Sequence, residues 1–101
     1  MSTSEIELKE ALAQDLRIDQ DALTVNLADG RTLSVPLVWF PRLIHGTPAE
    51  RNNWRFIGHG EGIHWPDLDE DISVSSLLLG RRSGEAAGSL NRWLESRRRS
   101  E

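Results

Sequence analysis

The sequence predicts an α+β fold: a small, mostly antiparallel sheet of about five short strands with short helices, followed by a C-terminal amphipathic helix. Three observations carry that reading. Two apolar runs alternate with period two on either side of Asp29-Gly30, which marks half-buried strands joined by a turn. Proline, glycine and capping residues then divide the middle of the chain into short helical turns. Near the C-terminus, Leu90, Trp93 and Leu94 recur at helical spacing, with Ala86 one turn earlier.

At 101 residues the chain has the length of one domain. It has no Cys, so disulfides, thiol nucleophiles and thiolate metal sites are excluded. The first residues, MSTSEIELKE, lack the basic and apolar regions of a secretion signal. No apolar run approaches the roughly 20 residues of a membrane helix. The expectation is a soluble, cytoplasmic protein without a membrane contact. The net charge of −4 hides an asymmetry: residues 81–101 hold six Arg against three Glu, whereas residues 1–80 carry −7. The body therefore repels nucleic acid and the tail attracts it. The composition shift at Gly80 suggests an α+β domain over residues 1–80 and a helical, Arg-rich tail over 81–101.

In chain order, Ser4 and Glu7 form a capping-box pattern, which predicts a short helix to about Ala13. Leu16 and Ile18 read as a short strand. Leu23, Val25 and Leu27, then Leu33, Val35 and Leu37, follow as a hairpin. Its register is decidable. A two-residue Asp-Gly loop would set Val25 against Ser34 and send the apolar rows to opposite faces. A three-residue loop, Ala28-Asp29-Gly30, pairs Leu27 with Arg31, Val25 with Leu33 and Leu23 with Val35, with Gly30 in the left-handed position. The bulged hairpin is preferred. Pro36 suits a strand end or a sheet edge.

Pro41 opens a helical turn that Gly46 ends, and Thr47-Pro48-Ala49-Glu50 starts another that runs to about Asn53. A second hairpin spans Trp54 to Trp65 around Gly58-His59-Gly60-Glu61-Gly62. A four-residue loop pairs Phe56 with Ile63 and Trp54 with Trp65; a five-residue loop pairs Ile57 with Ile63. The first buries both Trp rings and is favoured. Pro66 stops the strand, and Asp67 to Asp71 reads as a solvated corner. Ile72 and Leu77 frame an N-cap at Ser73, and Gly80 stops that last turn. Gly60 to Gly80 thus packs a strand, a proline stop, an acidic corner and a capped turn into one short span.

Asp29-Gly30, Trp65-Pro66, Asp67-Leu68-Asp69 and Leu77-Leu78 stand where the bacterial family known as domain of unknown function 2442 has its marks. Trp39 to Leu43 echoes a Trp-Phe/Tyr-Pro-Arg-Leu subgroup. From about Asp15 to Gly80 the chain resembles that family. The resemblance implies a small α+β domain, found among genes of toxin–antitoxin type, with an accessory or antitoxin-like role. Some members carry an additional C-terminal DNA-binding helical domain. Residues 81–101 are too few for a helix-turn-helix, so that role does not carry over.

Candidate chemistry is sparse. His59 and His64 flank the glycine-rich turn near Glu61, Asp67 and Asp69, but nothing fixes a third metal ligand. His64 with Asp67 or Asp69 would be the pair for a small enzyme, which would also need a nucleophile or a pocket. The glycine loop lacks the Gly-Lys-Ser/Thr ending of a phosphate loop. Asp67, Asp69, Glu70 and Asp71 lack the Gly and the terminal Glu of a calcium loop; they read as a corner favouring the next helix start, or as an acidic patch for a basic partner. No catalytic residue, metal or cofactor is assigned.

The leading expectation is a non-enzymatic protein-interaction module. Trp39 and Phe40 are adjacent and cannot both point inward from an extended chain, and Arg42 beside them completes an aromatic-plus-Arg signature. The tail helix docks on its own sheet, is exchanged with or paired to a second copy, or orders on a partner. Trp39, Phe40, Arg42, Trp93, Leu94 and Arg97 are the candidate contact residues, for another small protein or for a homodimer. The alternative is nucleic-acid binding through Arg97, Arg98 and Arg99, as in a repressor complex.

Overall fold

The structure, a computed structural model, describes residues 11–99. The capping-box helix expected from Ser4 lies outside the described residues up to its last turn. There the chain is not helical, because Ala13 already opens the first strand.

Among the described residues, six strands form two antiparallel sheets instead of about five in one. The first sheet is a meander of β1 (Ala13–Ile18), β2 (Ala22–Leu27) and β3 (Thr32–Pro36). Asp19 turns the chain between β1 and β2 by accepting the amides of Asp21 and Ala22 at 2.7 and 2.8 Å. The β2–β3 hairpin has the bulged register: Leu23 faces Val35 and Val25 faces Leu33. Leu27 N donates to Arg31 O at 2.8 Å, and Gly30 sits at φ +96°, where a side chain is disfavoured.

After β3 a 3-10 turn (Leu37–Trp39) leads into α1 (Pro41–His45) and α2 (Pro48–Asn52). Thr47 Oγ1 accepts Glu50 N and Glu50 Oε1 accepts Thr47 N, which completes the expected capping box. The second sheet follows as β4 (Arg55–Ile57), β5 (Gly62–Trp65) and β6 (Glu70–Ser73). Its first hairpin has the four-residue loop, with Phe56 opposite Ile63. β6 is the strand the sequence reading did not expect. The acidic corner ends at Asp69, whose φ of +49° tightens the turn, and Glu70 and Asp71 already pair with Trp65 and His64. An edge strand tolerates charged residues: Asp71 is exposed, while Glu70 is half-buried. Ser73 caps α3 (Val74–Leu78) by accepting Ser76 N at 3.1 Å. Arg81 N to Ser76 O and Gly80 N to Leu77 O close that helix as a Schellman motif. The linker then leads to α4 (Ala87–Arg99).

One apolar cluster joins the two sheets. Leu23, Val25, Leu27 and Val35 come from the first; Ile63, Trp65 and Ile72 come from the second; Leu43, Leu68, Val74 and Leu77 fill between them. Trp65 is fully buried, with its indole N–H donating to Arg51 O at 2.9 Å. Trp54, expected beside it, is only half-buried and tilts against Phe56 at 5.0 Å. It lies just before β4, so no ladder pairing holds it over the core. No described helix is long and apolar enough to cross a membrane.

The sheets touch backbone to backbone at one close approach. Ala13 N donates to Gly60 O at 2.7 Å. Gly60 has φ +99°, and a Cβ there would stand 2.3 Å from Ala13 O. Gly60→Ala should therefore destabilise by roughly 2 kcal/mol or more in urea unfolding. Gly30→Ala, with nothing within 4 Å, should cost about 1 kcal/mol, the left-handed penalty alone. Equal losses would contradict this reading of the junction.

Candidate interaction site

Among the described residues, one ladder of charges around Trp93 joins α4 to the body. Arg42 leaves α1 and lays its guanidinium 4.9 Å from the Trp93 ring centre. Its Nε and Nη2 donate to both oxygens of Glu85 at 2.7 to 3.0 Å. Its Nη1 donates to Leu68 O at 3.1 Å and Asp69 O at 3.3 Å. Glu85 also accepts Ser89 Oγ at 2.9 Å, so it ties the start of α4 to α1. From the far end of α4, Arg97 sets its guanidinium 4.7 Å from the same ring. It makes a two-pronged bond to Glu50, 3.0 Å to Oε2 and 2.6 Å to Oε1. Two guanidiniums would repel one another over one ring; a carboxylate on each removes that cost and orients the planar fork.

The electrostatics agree. The Arg97 bond, with the Thr47 amide behind it, holds Glu50 down at about 2. The Arg42 bond lowers Glu85, and Glu85 in turn raises Arg42. Beside this pair, Glu70 is pushed up to about 7, chiefly by burial and further by Glu85 and Asp71, with Arg42 opposing.

Of the six expected contact residues, Arg42, Trp93 and Arg97 meet in the ladder. Leu94 is half-buried on the same face of α4 as Leu90. Trp39 is half-buried, with Arg82 5.0 Å over its ring and Ser83 N donating to its carbonyl. Phe40 is a correction: it is 4 % exposed and belongs to the core, because the chain turns into α1 and points this ring inward. Arg98 and Arg99 lie near Glu95 at 3.3 and 3.8 Å on the outer face of α4.

The histidine pairing also differs from expectation. His64 Nδ1 meets Asp71 Oδ1, not Asp67 or Asp69, because the β5–β6 register places His64 opposite Asp71. Asp67 accepts Asn53 Nδ2 at 2.8 Å, and Asp69 reaches toward Arg42 at 3.8 Å. Among the described residues no three His, Cys, Asp or Glu side chains converge on a metal position.

Three acidic residues that matter here escaped the sequence reading. Glu50 was legible as a helix cap but not as the partner of Arg97. Glu85 carried no local signal, and Glu70 read only as one member of the acidic corner, since the fold alone brings either near Arg42.

The lowered Glu50 carboxyl gives a pH test. Its contribution is fully present above the unfolded value of 4.5 and is lost as pH falls toward 2. Glu50→Gln should cost about 1 kcal/mol at pH 7, once solvent screening is allowed for. The gap between the variant and wild type in urea unfolding should close through that acid range. A gap independent of pH would contradict the Arg97–Glu50 bond.

Comparison with known proteins places the fold. A crystal structure of a protein of unknown function from Rhodospirillum rubrum matches with a TM-score of 0.66 and 28% identity, covering 77% of this chain and 96% of that one. The solution structure of an uncharacterized protein from Chromobacterium violaceum matches with a TM-score of 0.63 and 21% identity, covering 87% and 81%; it supports the fold alone. No curated protein matches the chain. The family model for proteins of unknown function DUF2442 matches residues 13–83, from the first residue of β1 to the linker before α4. The chain belongs to the DUF2442 family.

Proposed function

We propose that the chain is a non-enzymatic, cytoplasmic protein-interaction module that works through α4 and the surface beneath it. On this reading it pairs with a second copy or another small protein, in an accessory, antitoxin-like role. The observation that carries the proposal is how α4 is held. Its 13 residues include none that is fully buried, and Leu90, Trp93 and Leu94 are only half-covered. A helix of that length is marginal in water by itself, and here it is held by ion pairs toward its two ends and by Trp93, which packs against the edge of the core. The same pairs of groups could equally be supplied by two chains, since Arg42 and Glu50 lie on the body while Glu85, Trp93 and Arg97 lie in or just before α4. Val38 and Leu79 add exposed apolar surface, 70% and 52% accessible.

Nucleic-acid binding is the second reading. Arg98 and Arg99 support it, with side chains 75% and 80% exposed. Against it, Arg97 is engaged by Glu50 and Glu95 lies beside the other two.

Replacing Trp93 and Leu94 together by Asp should convert an associated species to the monomer mass by light scattering, and raising salt should weaken the wild-type association, because the contact is built on partly exposed ion pairs. Unchanged mass in the double variant would overturn the proposal. An affinity for a DNA or RNA duplex that falls steeply with ionic strength would shift the function to the Arg tail.

A further inference from the structure

Between β6 and the linker lies a cavity of about 210 Å³, and none of its lining residues contributes to the bonds around Trp93. Phe40 lines it from the core, Glu70, Asp71 and Ser73 from β6, and Arg81 and Arg82 from the linker. The linker wall is fixed in place. Arg81 N donates to Ser76 O and Ser83 N to Trp39 O, both at 3.0 Å, and the Arg82 guanidinium stands 5.0 Å over the Trp39 ring. The gap is therefore formed before anything enters it, as small-molecule sites usually are. Its charges are opposed but do not meet: among the described residues no ion pair crosses from β6 to Arg81 or Arg82. Asp71 is turned to His64, and Arg42 spends its fork on Glu85 and two carbonyls. That leaves the half-buried Glu70 carboxylate with the neighbouring Asp71 amide against it and no counter-charge in contact.

We propose that this cavity binds a small zwitterion of amino-acid size, with its ammonium on Glu70 and its carboxylate on Arg81 and Arg82. A charge held partly out of water without a partner is costly, so the cavity favours a ligand that brings the missing counter-charge. A simple anion drawn by the two guanidiniums would be repelled by Glu70 and Asp71 across a gap of molecular size, where salt screens little because screening takes about 8 Å. A simple cation meets the reverse. A zwitterion is neutral overall and satisfies both walls at once, and its carboxylate suits the planar fork of a guanidinium. The volume lies below the roughly 300 Å³ of a drug-sized pocket, which limits the ligand to a free amino acid or a compound of similar size. The inference is independent of what α4 contacts.

Backbone amide shifts of the isotope-labelled full chain test it at pH 8, where Glu70, pushed up to about 7 by burial, is ionised. The probes are glycine and γ-aminobutyrate, set against acetate and methylammonium at equal ionic strength. At least one of the zwitterions should move the amides of residues 70–73 and 81–84 in a saturable way, and the two simple ions should not. Glu70→Gln and Arg81→Gln should each weaken that binding about tenfold or more, the loss of one charge-assisted bond. Glu50→Gln, outside the cavity, should leave it unchanged. No saturable shift with either zwitterion, an equal shift with acetate or methylammonium, or an affinity unchanged in both cavity variants would overturn the proposal.

Discussion

The arrangement of the chain beyond the second sheet depends on one indole ring meeting two guanidiniums. Trp93 attracts Arg42 and Arg97 through its π face, but neither cation would stay without its own carboxylate. Glu85 and Glu50 are therefore as much a part of the contact as the ring. The result is a chain of alternating charge that spans α1, the linker, α4 and α2. Such a contact is directional, and it sits at the edge of the apolar cluster that unites the two sheets, against which Trp93 itself packs. It fixes where α4 lies without burying it.

That distinction follows the family boundary. The residues matched by the DUF2442 model end at 83, so Arg42 and Glu50 belong to the matched body, while Glu85, Trp93 and Arg97 lie beyond it. The body supplies one cation and one carboxylate on short capped helices, each held in place by local rules: a proline-led turn for Arg42 and a capping box for Glu50. The segment beyond the family span supplies the complementary pair and the ring.

Much of the fold was legible in the sequence because its signals are local. The Asp29-Gly30 register followed from the requirement that both apolar rows share a face, and Gly30 at positive φ satisfies it. Thr47 and Glu50, and Ser73 before its turn, were readable as caps. The signals failed where pairing is nonlocal. Glu70 and Asp71 read as a solvated corner because β6 has only one inward residue of strong apolar character, Ile72, to give it a period. The candidate site shows the same limit. Arg42, Trp93 and Arg97 stood out by residue type, whereas Phe40 was misplaced because its direction depends on how the chain enters α1. Glu85 was silent and Glu70 read only as part of the acidic corner, since an acidic residue in a polar segment has no pattern that names its partner.

The absence of Cys from the whole chain opens a direct test of the central claim, that apolar contact at Trp93 does not hold α4 to the body without the carboxylates of Glu50 and Glu85. Spin labels introduced at Ala49 beside the cap of α2 and at Asn91 on the exposed side of α4 report their separation by pulsed electron resonance. The account predicts a single narrow distance in the otherwise wild-type chain at pH 6. It predicts a broad distribution once Glu50 and Glu85 are both replaced by Gln. A narrow peak that survives both replacements would contradict it and assign the docking of α4 to apolar contacts instead.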